Sequence, residues 1–205
     1  MLNVSGLHLW RGDRHVLRGV DLSATPGQCV LLTGKNGAGK TTLLRAIAGL
    51  LDPEAGEVSW RGKPARQARD DFHSELAYLG HEPPLKGELT GRENLRYSIG
   101  IRRTVTGEEI HAALERTGAQ PFADRAVRTL SAGQRRRVAL AGVLLTEALL
   151  WLLDEPTTNL DADGQQLVAT LIEEQLTRSG IVVAAVHHSL ALAEGRLTQL
   201  ELGAR

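Results

Sequence analysis

The apolar positions change rhythm along this chain, and the changes outline its elements. From Leu2 to about Ser23, short alternating apolar segments interrupted by Arg11-Gly12-Asp13 predict antiparallel strands joined as a hairpin. Pro26-Gly27 then turns the chain into the unbroken apolar run Cys29-Val30-Leu31-Leu32, which predicts a buried strand, followed by a helix over Thr42 to Ala48. Asp52 to Gly56 predicts a turn, Glu57 to Trp60 a strand, and Arg61 to Pro64 another turn. Leu76 to Leu79 is expected to be a central strand. From Pro83 to about Leu145 helical spacing dominates, including Glu108 to Thr117 and Ser131 to Leu145. Beyond it come a strand at Leu149 to Leu153, a helix at Asp163 to Arg178, a strand at Ile181 to Val186, a short helix, and a last strand at Arg196 to Leu202.

Strands alternating with helices predict an α/β fold: a largely parallel sheet with helices on both faces. The amino-terminal segments add an antiparallel β lobe, and residues 84–145 an inserted helical lobe. With 205 residues and 42 % hydrophobic content the chain is expected to form one domain, 1–205. It has no internal repeat and no low-complexity tract.

Charge narrows the function. Lysine plus arginine number 24 and aspartate plus glutamate 24, so no net field draws the chain towards nucleic acid, and none is expected as a partner. The one cysteine, Cys29, falls in the predicted buried strand, which points to a packing role and a reducing compartment. No apolar stretch approaches the roughly 20 residues that cross a bilayer, and Met1-Leu2-Asn3-Val4 lacks a signal-peptide layout.

Chemistry enters with Gly34-Lys35-Asn36-Gly37-Ala38-Gly39-Lys40-Thr41, which fits G-x-x-x-x-G-K-[ST] between a predicted strand and a predicted helix. Glycines let several backbone N–H groups converge, and the helix start adds its positive end, so the loop and Thr42 behind it are expected to hold a polyphosphate. Lys40 is expected on the β and γ phosphates, and the Thr41 hydroxyl on Mg²⁺. The apolar run Leu149 to Leu153 ends in Asp154-Glu155, placing two carboxylates at the carboxyl edge of the sheet. Strand alternation would send them to opposite sides, with Asp154 on Mg²⁺ and Glu155 on the attacking water. Ser131, in Leu130-Ser131-Ala132-Gly133-Gln134, can cap the following helix and also present its hydroxyl to an anion. Arg135-Arg136-Arg137 is expected to solvate an exposed helix turn.

The phosphate loop, the Leu130 to Gln134 segment and Leu153-Asp154-Glu155-Pro156, in this order, resemble the ATP-binding cassette superfamily over essentially the whole chain. The resemblance implies ATP and Mg²⁺ as cofactors and a head-to-tail homodimer, in which Ser131, Gly133 and Gln134 of one copy close on the nucleotide of the other. It implies Trp10 against adenine, Asp161 at the dimer interface touching the partner's phosphate loop, and His187 on the γ phosphate. Where the family usually carries a glutamine that reaches Mg²⁺ and water, this chain has His81, in Gly80-His81-Glu82-Pro83. An imidazole can bind metal and hydrogen-bond water, and it titrates near neutrality, so pH-dependent coupling is expected.

That segment, with Trp60 to Pro64 and Arg69 to His73, is similar to the ATPase subunits of heme exporters in bacterial cytochrome c maturation. The similarity implies a peripheral subunit on the cytoplasmic face of the inner membrane, partnered by the exporter's integral membrane protein. No direct heme binding is expected, since no C-x-x-C-H occurs. His8, His15 and His111 show no ligand spacing. Another exporter, of lipid or drug, would share every catalytic residue, and a soluble cassette ATPase is the third reading.

Overall fold

The computed structural model describes residues 1–186, 192 and 195–203. Strands β1 (Leu2–Arg11) and β2 (Arg14–Ala24) form the expected hairpin. β1 buries Leu2 and Val4, then changes phase and buries Leu7 and Leu9; the pairing register with β2 shifts between Val4 and Leu7, where Gly6 takes φ 54°. A bulge there inserts one residue, so the apolar alternation skips a beat. β1 also pairs antiparallel with β4 (Ala55–Trp60), and β4 with the two-residue β5 (Lys63–Pro64), giving the order β2-β1-β4-β5. The predicted turns are therefore shorter than expected, because Ala55 and Gly56 lie within β4 and only Arg61-Gly62 turn, at φ 52° and 80°.

The second sheet has the order β6-β7-β8-β3-β9, from Leu76–Leu79, Leu150–Asp154, Ile181–Ala185, Cys29–Thr33 and Leu197–Glu201, all pairs parallel. Leu76–Leu79 is thus an edge strand among the described residues, not a central one; its apolar run is buried by helices rather than by a second neighbour strand. Alternate residues divide between two cores. Val30, Leu32, Leu150, Leu152 and Val183 meet helix α1 (Lys40–Ile47) and the antiparallel sheet. Leu31, Trp151, Leu153 and Val182 meet α5 (Ala132–Leu145) and α6 (Ala162–Thr177) on the opposite face. Cys29 lies buried in this second core, and burial pushes its thiol up to about 12, so it packs as an inert small hydrophobe. The short helix α2 (Arg69–Ser74), which buries only Phe72, has no counterpart in the sequence reading.

Between β6 and β7 the described chain is helical: α3 (Gly91–Gly100), α4 (Gly107–Arg116), two 3₁₀ turns, and α5. Capping boxes at Thr90/Glu93, Thr106/Glu109 and Ser131/Gln134 satisfy the first N–H groups of α3, α4 and α5. A third core joins Leu95, Ile110, Leu114 and Val138. α5 serves this core with Val138, Ala141 and Leu145 and the sheet with Ala139, Leu140 and Val143, so the lobe shares an element with the body.

The buried Asn94 amide fixes the loop that enters the lobe. It accepts from the Lys86 N–H at 2.8 Å and donates to the carbonyls of Lys86 and Thr90 at 3.0 and 2.9 Å. Asn94→Ala strands these groups and is expected to lower the unfolding free energy by roughly 2 kcal/mol, read from a urea midpoint at unchanged slope.

Candidate active site

The phosphate loop runs from the end of β3 to the first turn of α1. Gly34 stands at φ 128°, and a Cβ there would meet the Leu202 carbonyl at 2.4 Å, so only glycine lets the loop leave the strand at that angle. Lys40 is buried and curls back, its Nζ donating to the carbonyls of Gly34 at 2.7 Å and Lys35 at 3.3 Å. One residue on, Thr41 Oγ1 donates to Asp154 Oδ1 at 3.1 Å, joining the loop to the end of β7 across 113 residues.

Asp154 is 1 % exposed, and its other oxygen, Oδ2, has no hydrogen-bond partner among the described residues. Burial raises its carboxyl above the ordinary range, opposed by the Thr41 hydroxyl and reinforced by Glu155. An unsatisfied buried carboxylate oxygen beside a threonine hydroxyl is an all-oxygen donor set that fits Mg²⁺.

Glu155 lies just past the strand at φ 50°, and its N–H donates to the Ala185 carbonyl at 3.0 Å. The two acids are therefore separated by this left-handed turn and not by strand alternation, as the sequence reading had it. Glu155 Oε2 accepts from Thr158 Oγ1 at 3.1 Å and lies 3.5 Å from His81 Nδ1. Asn36, Lys40, Thr41, His81 and Glu155 line one cleft of about 700 Å³ around the phosphate loop, a volume suited to a nucleotide. Arg11, Arg14 and Val16 of the hairpin line it too, and sequence reasoning missed them. Arg14 Nη2 donates to the Gly37 carbonyl at 2.9 Å, tying the hairpin to the loop.

Other expected residues stand elsewhere. Trp10 is not among those lining the cleft; its indole stacks on His15 at 3.5 Å and 7°, and His15 bonds His8 Nδ1 at 3.1 Å. Ser131, Gly133 and Gln134 do not line the cleft of their own chain. Ser131 caps α5, accepting from the Gln134 N–H at 3.2 Å, and Gly133 packs so closely that a Cβ would lie 2.5 Å from the Asn159 carbonyl. Asp161 caps α6, accepting from the Gly164 N–H at 2.9 Å, and pairs with Arg137 at 3.2 Å; the Gly164 bond, then Arg137, hold its carboxyl low. His187 lies outside the described residues. The arginine run does not solvate a helix turn, because Arg136 is 2 % exposed and points inward.

A family model described as ABC transporter matches residues 17–158, a span that holds the phosphate loop, the Ser131 segment and both acids. The chain belongs to the ABC transporter family. This ABC chain is similar to proteins named "Cytochrome c biogenesis ATP-binding export protein CcmA": 43 % identical to that of Nitrosococcus oceani over 97 % of this chain and 91 % of the relative. To that of Escherichia coli strain K12 it is 41 % identical, over 98 % and 96 %. Among solved structures it resembles a putative ABC transporter ATP-binding protein from Pyrococcus furiosus, with TM-score 0.84, 28 % identity, and coverage of 98 % and 96 %. It also resembles a dimeric ATP-binding cassette bound to ADP and Pi after hydrolysis, with TM-score 0.81, 25 % identity, and coverage of 99 % and 97 %. The family match leaves out Trp10, Asp161 and His187.

Because folding raises the Asp154 carboxyl, the native state binds its proton more tightly than the unfolded chain. Stability therefore falls as pH rises from the ordinary carboxylate range through the raised value. At mildly alkaline pH, Asp154→Asn is expected to melt above the native chain without nucleotide, yet to lose most of the further rise that Mg-ATP confers. Thermal melts with and without Mg-ATP check both halves.

Proposed function

We propose that this chain is the ATP-hydrolysing subunit of an export complex serving cytochrome c biogenesis, and that two copies close head to tail on two Mg-ATP molecules. The observation that carries the reading is the cleft itself: the phosphate loop, Glu155 and His81 line it, and Asp154, with its orphaned oxygen, lies behind it on Thr41, while the Ser131 segment of the same chain stays outside. A second copy would supply the missing wall. Ser131 suits that task, since capping α5 uses an oxygen lone pair and leaves its O–H to donate to an anion at the helix start. Asp161, exposed and tied to α5 through its Arg137 pair, would face the partner's loop.

Bound Mg²⁺ would neutralise charge on the β and γ phosphates, held by Thr41 and Asp154. Lys40 and the loop's N–H groups bind the phosphates, Glu155 takes a proton from the attacking water, and His81 orients that water from across the cleft. The relatives' name carries the assignment to cytochrome c biogenesis, and heme as cargo of the membrane partner follows from the sequence resemblance. No helix among the described residues is long and apolar enough to cross a membrane, so the path would belong to another polypeptide, with this subunit on the cytoplasmic face of the inner membrane.

The face for that partner lies where α1 and α3 end. Leu50 and Ile101 are 61 % and 73 % exposed, and the two ends are linked through Arg102 to the His73 carbonyl and His73 to the Ala48 carbonyl. Exposed apolar side chains of this size suit a docking helix.

Glu155→Gln is expected to bind ATP, accumulate dimers on size-exclusion chromatography, and hydrolyse about 100-fold or more slowly. Unchanged phosphate release would remove Glu155 from the chemistry. Ile101→Glu is expected to lose co-purification with an integral membrane protein from detergent-solubilised membranes while keeping ATP binding. Retained co-purification would move the docking face elsewhere.

A further inference from the structure

Arg136 has a charge the proposed mechanism does not use, buried where charge is expensive. It sits in the second turn of α5, 2 % exposed, with its guanidinium directed at the ends of two strands. Nε donates to the Pro156 carbonyl at 3.2 Å, and Nη1 to those of Gly80 at 2.7 Å and His81 at 3.4 Å. Nη2 donates to the carbonyls of Asp154 at 2.6 Å and of Glu155. Five backbone carbonyls thus meet five N–H donors of one planar fork, and none of the acceptors is a carboxylate.

We infer that Arg136 is a positioning residue for ATP hydrolysis, holding the His81 turn and the Glu155 turn at a fixed separation and fastening both to the helix that Ser131 begins. The inference rests on the ATPase reading above. Three observations support it. Glu155 keeps a left-handed backbone at φ 50°, a conformation a non-glycine residue holds only when its surroundings enforce it, and the Arg136 bonds to the Asp154, Glu155 and Pro156 carbonyls brace that turn on both sides. The Gly80 and His81 carbonyls are gripped by the same guanidinium, so the imidazole 3.5 Å from Glu155 is aligned by the same group. Each of these bonds runs from a guanidinium to a neutral carbonyl and is charge-assisted, so the brace is stronger than one of neutral donors would be. A ligand touching the start of α5 is then one helical turn from both catalytic turns. A lysine would keep the charge but replace a fork spanning two strands with donors on a single atom.

The test compares the full chain with Arg136→Lys, Glu155→Gln and the double variant, measuring ATP turnover and equilibrium binding of a fluorescent ATP analogue on the same preparations. Turnover is counted per nucleotide bound, which removes any unfolded fraction. Arg136→Lys is expected to lose about tenfold or more in kcat, with ATP affinity within about threefold of the parent. In the Glu155→Gln background the same change is expected to cost less than about twofold, because both substitutions disable one step. Native kcat per bound nucleotide in Arg136→Lys, or losses that multiply in the double variant, would overturn the inference. A native chain that binds ATP but shows no turnover with its membrane partner would overturn the ATPase reading first, and this inference with it.

Discussion

The hydrogen bond from Thr41 to Asp154 is the constraint on which this site is built. It can form only because β3 and β7 run parallel in one sheet with β8 between them, so the phosphate loop and the acidic turn leave the same edge. Two fully buried strands, β7 and β8, fix that edge with apolar contacts on both faces. Against this rigid background the chain tolerates a carboxylate that is 1 % exposed and only half satisfied. Such a group disfavours the folded state when ionised. A cation between it and a polyphosphate would remove the penalty, which is why the same geometry that weakens the isolated chain favours the liganded one.

The hairpin shows how a local contact can redirect a residue whose type suits a ligand. Trp10 presents the large π face an adenine would need, but His15, directly across the β1–β2 pairing, covers one side of it. Arg11 and Arg14, flanking the Gly12-Asp13 turn, line the cleft instead. A guanidinium is planar and cationic, so it can stack on a base or pair with a phosphate, and the hairpin contributes these two arginines to the cleft besides the exposed tryptophan next to them.

What the sequence made legible was local. The phosphate loop is a contiguous motif between a strand and a helix, and the buried strands are apolar runs, so both could be read directly from residues 29–48 and 149–153. Order within the sheet was not legible, because four apolar residues such as Leu76 to Leu79 say that a strand is buried but not which neighbours bury it. α2 escaped because its six residues bury one side chain. Strand alternation was expected to turn Asp154 and Glu155 apart, yet what separates them is a positive φ at Glu155 that no side-chain pattern announces. Arg136 is the clearest case: three arginines in a row read as a solvated turn, and only the fold shows that α5 lies between two cores and turns the middle one inward.

That position of α5 changes what the edge place of β6 means. β6 pairs with β7 alone among the described strands, so fewer sheet bonds hold it than any strand between two neighbours. The helical lobe adds charged ties to it. Arg102, at the end of α3, donates to the Leu76 carbonyl where β6 begins, and Arg136, on α5, donates to the Gly80 and His81 carbonyls where it ends. Cations borne by the lobe therefore grip the strand at both ends, and each bond is charge-assisted and so stronger than a neutral one. An edge strand held in this way follows the helices that hold it. His81 is thereby positioned by the lobe as much as by the sheet, while Glu155, just past the better-anchored β7, also meets the lobe through Arg136. The separation between imidazole and carboxylate is then the coordinate most sensitive to how the lobe is seated.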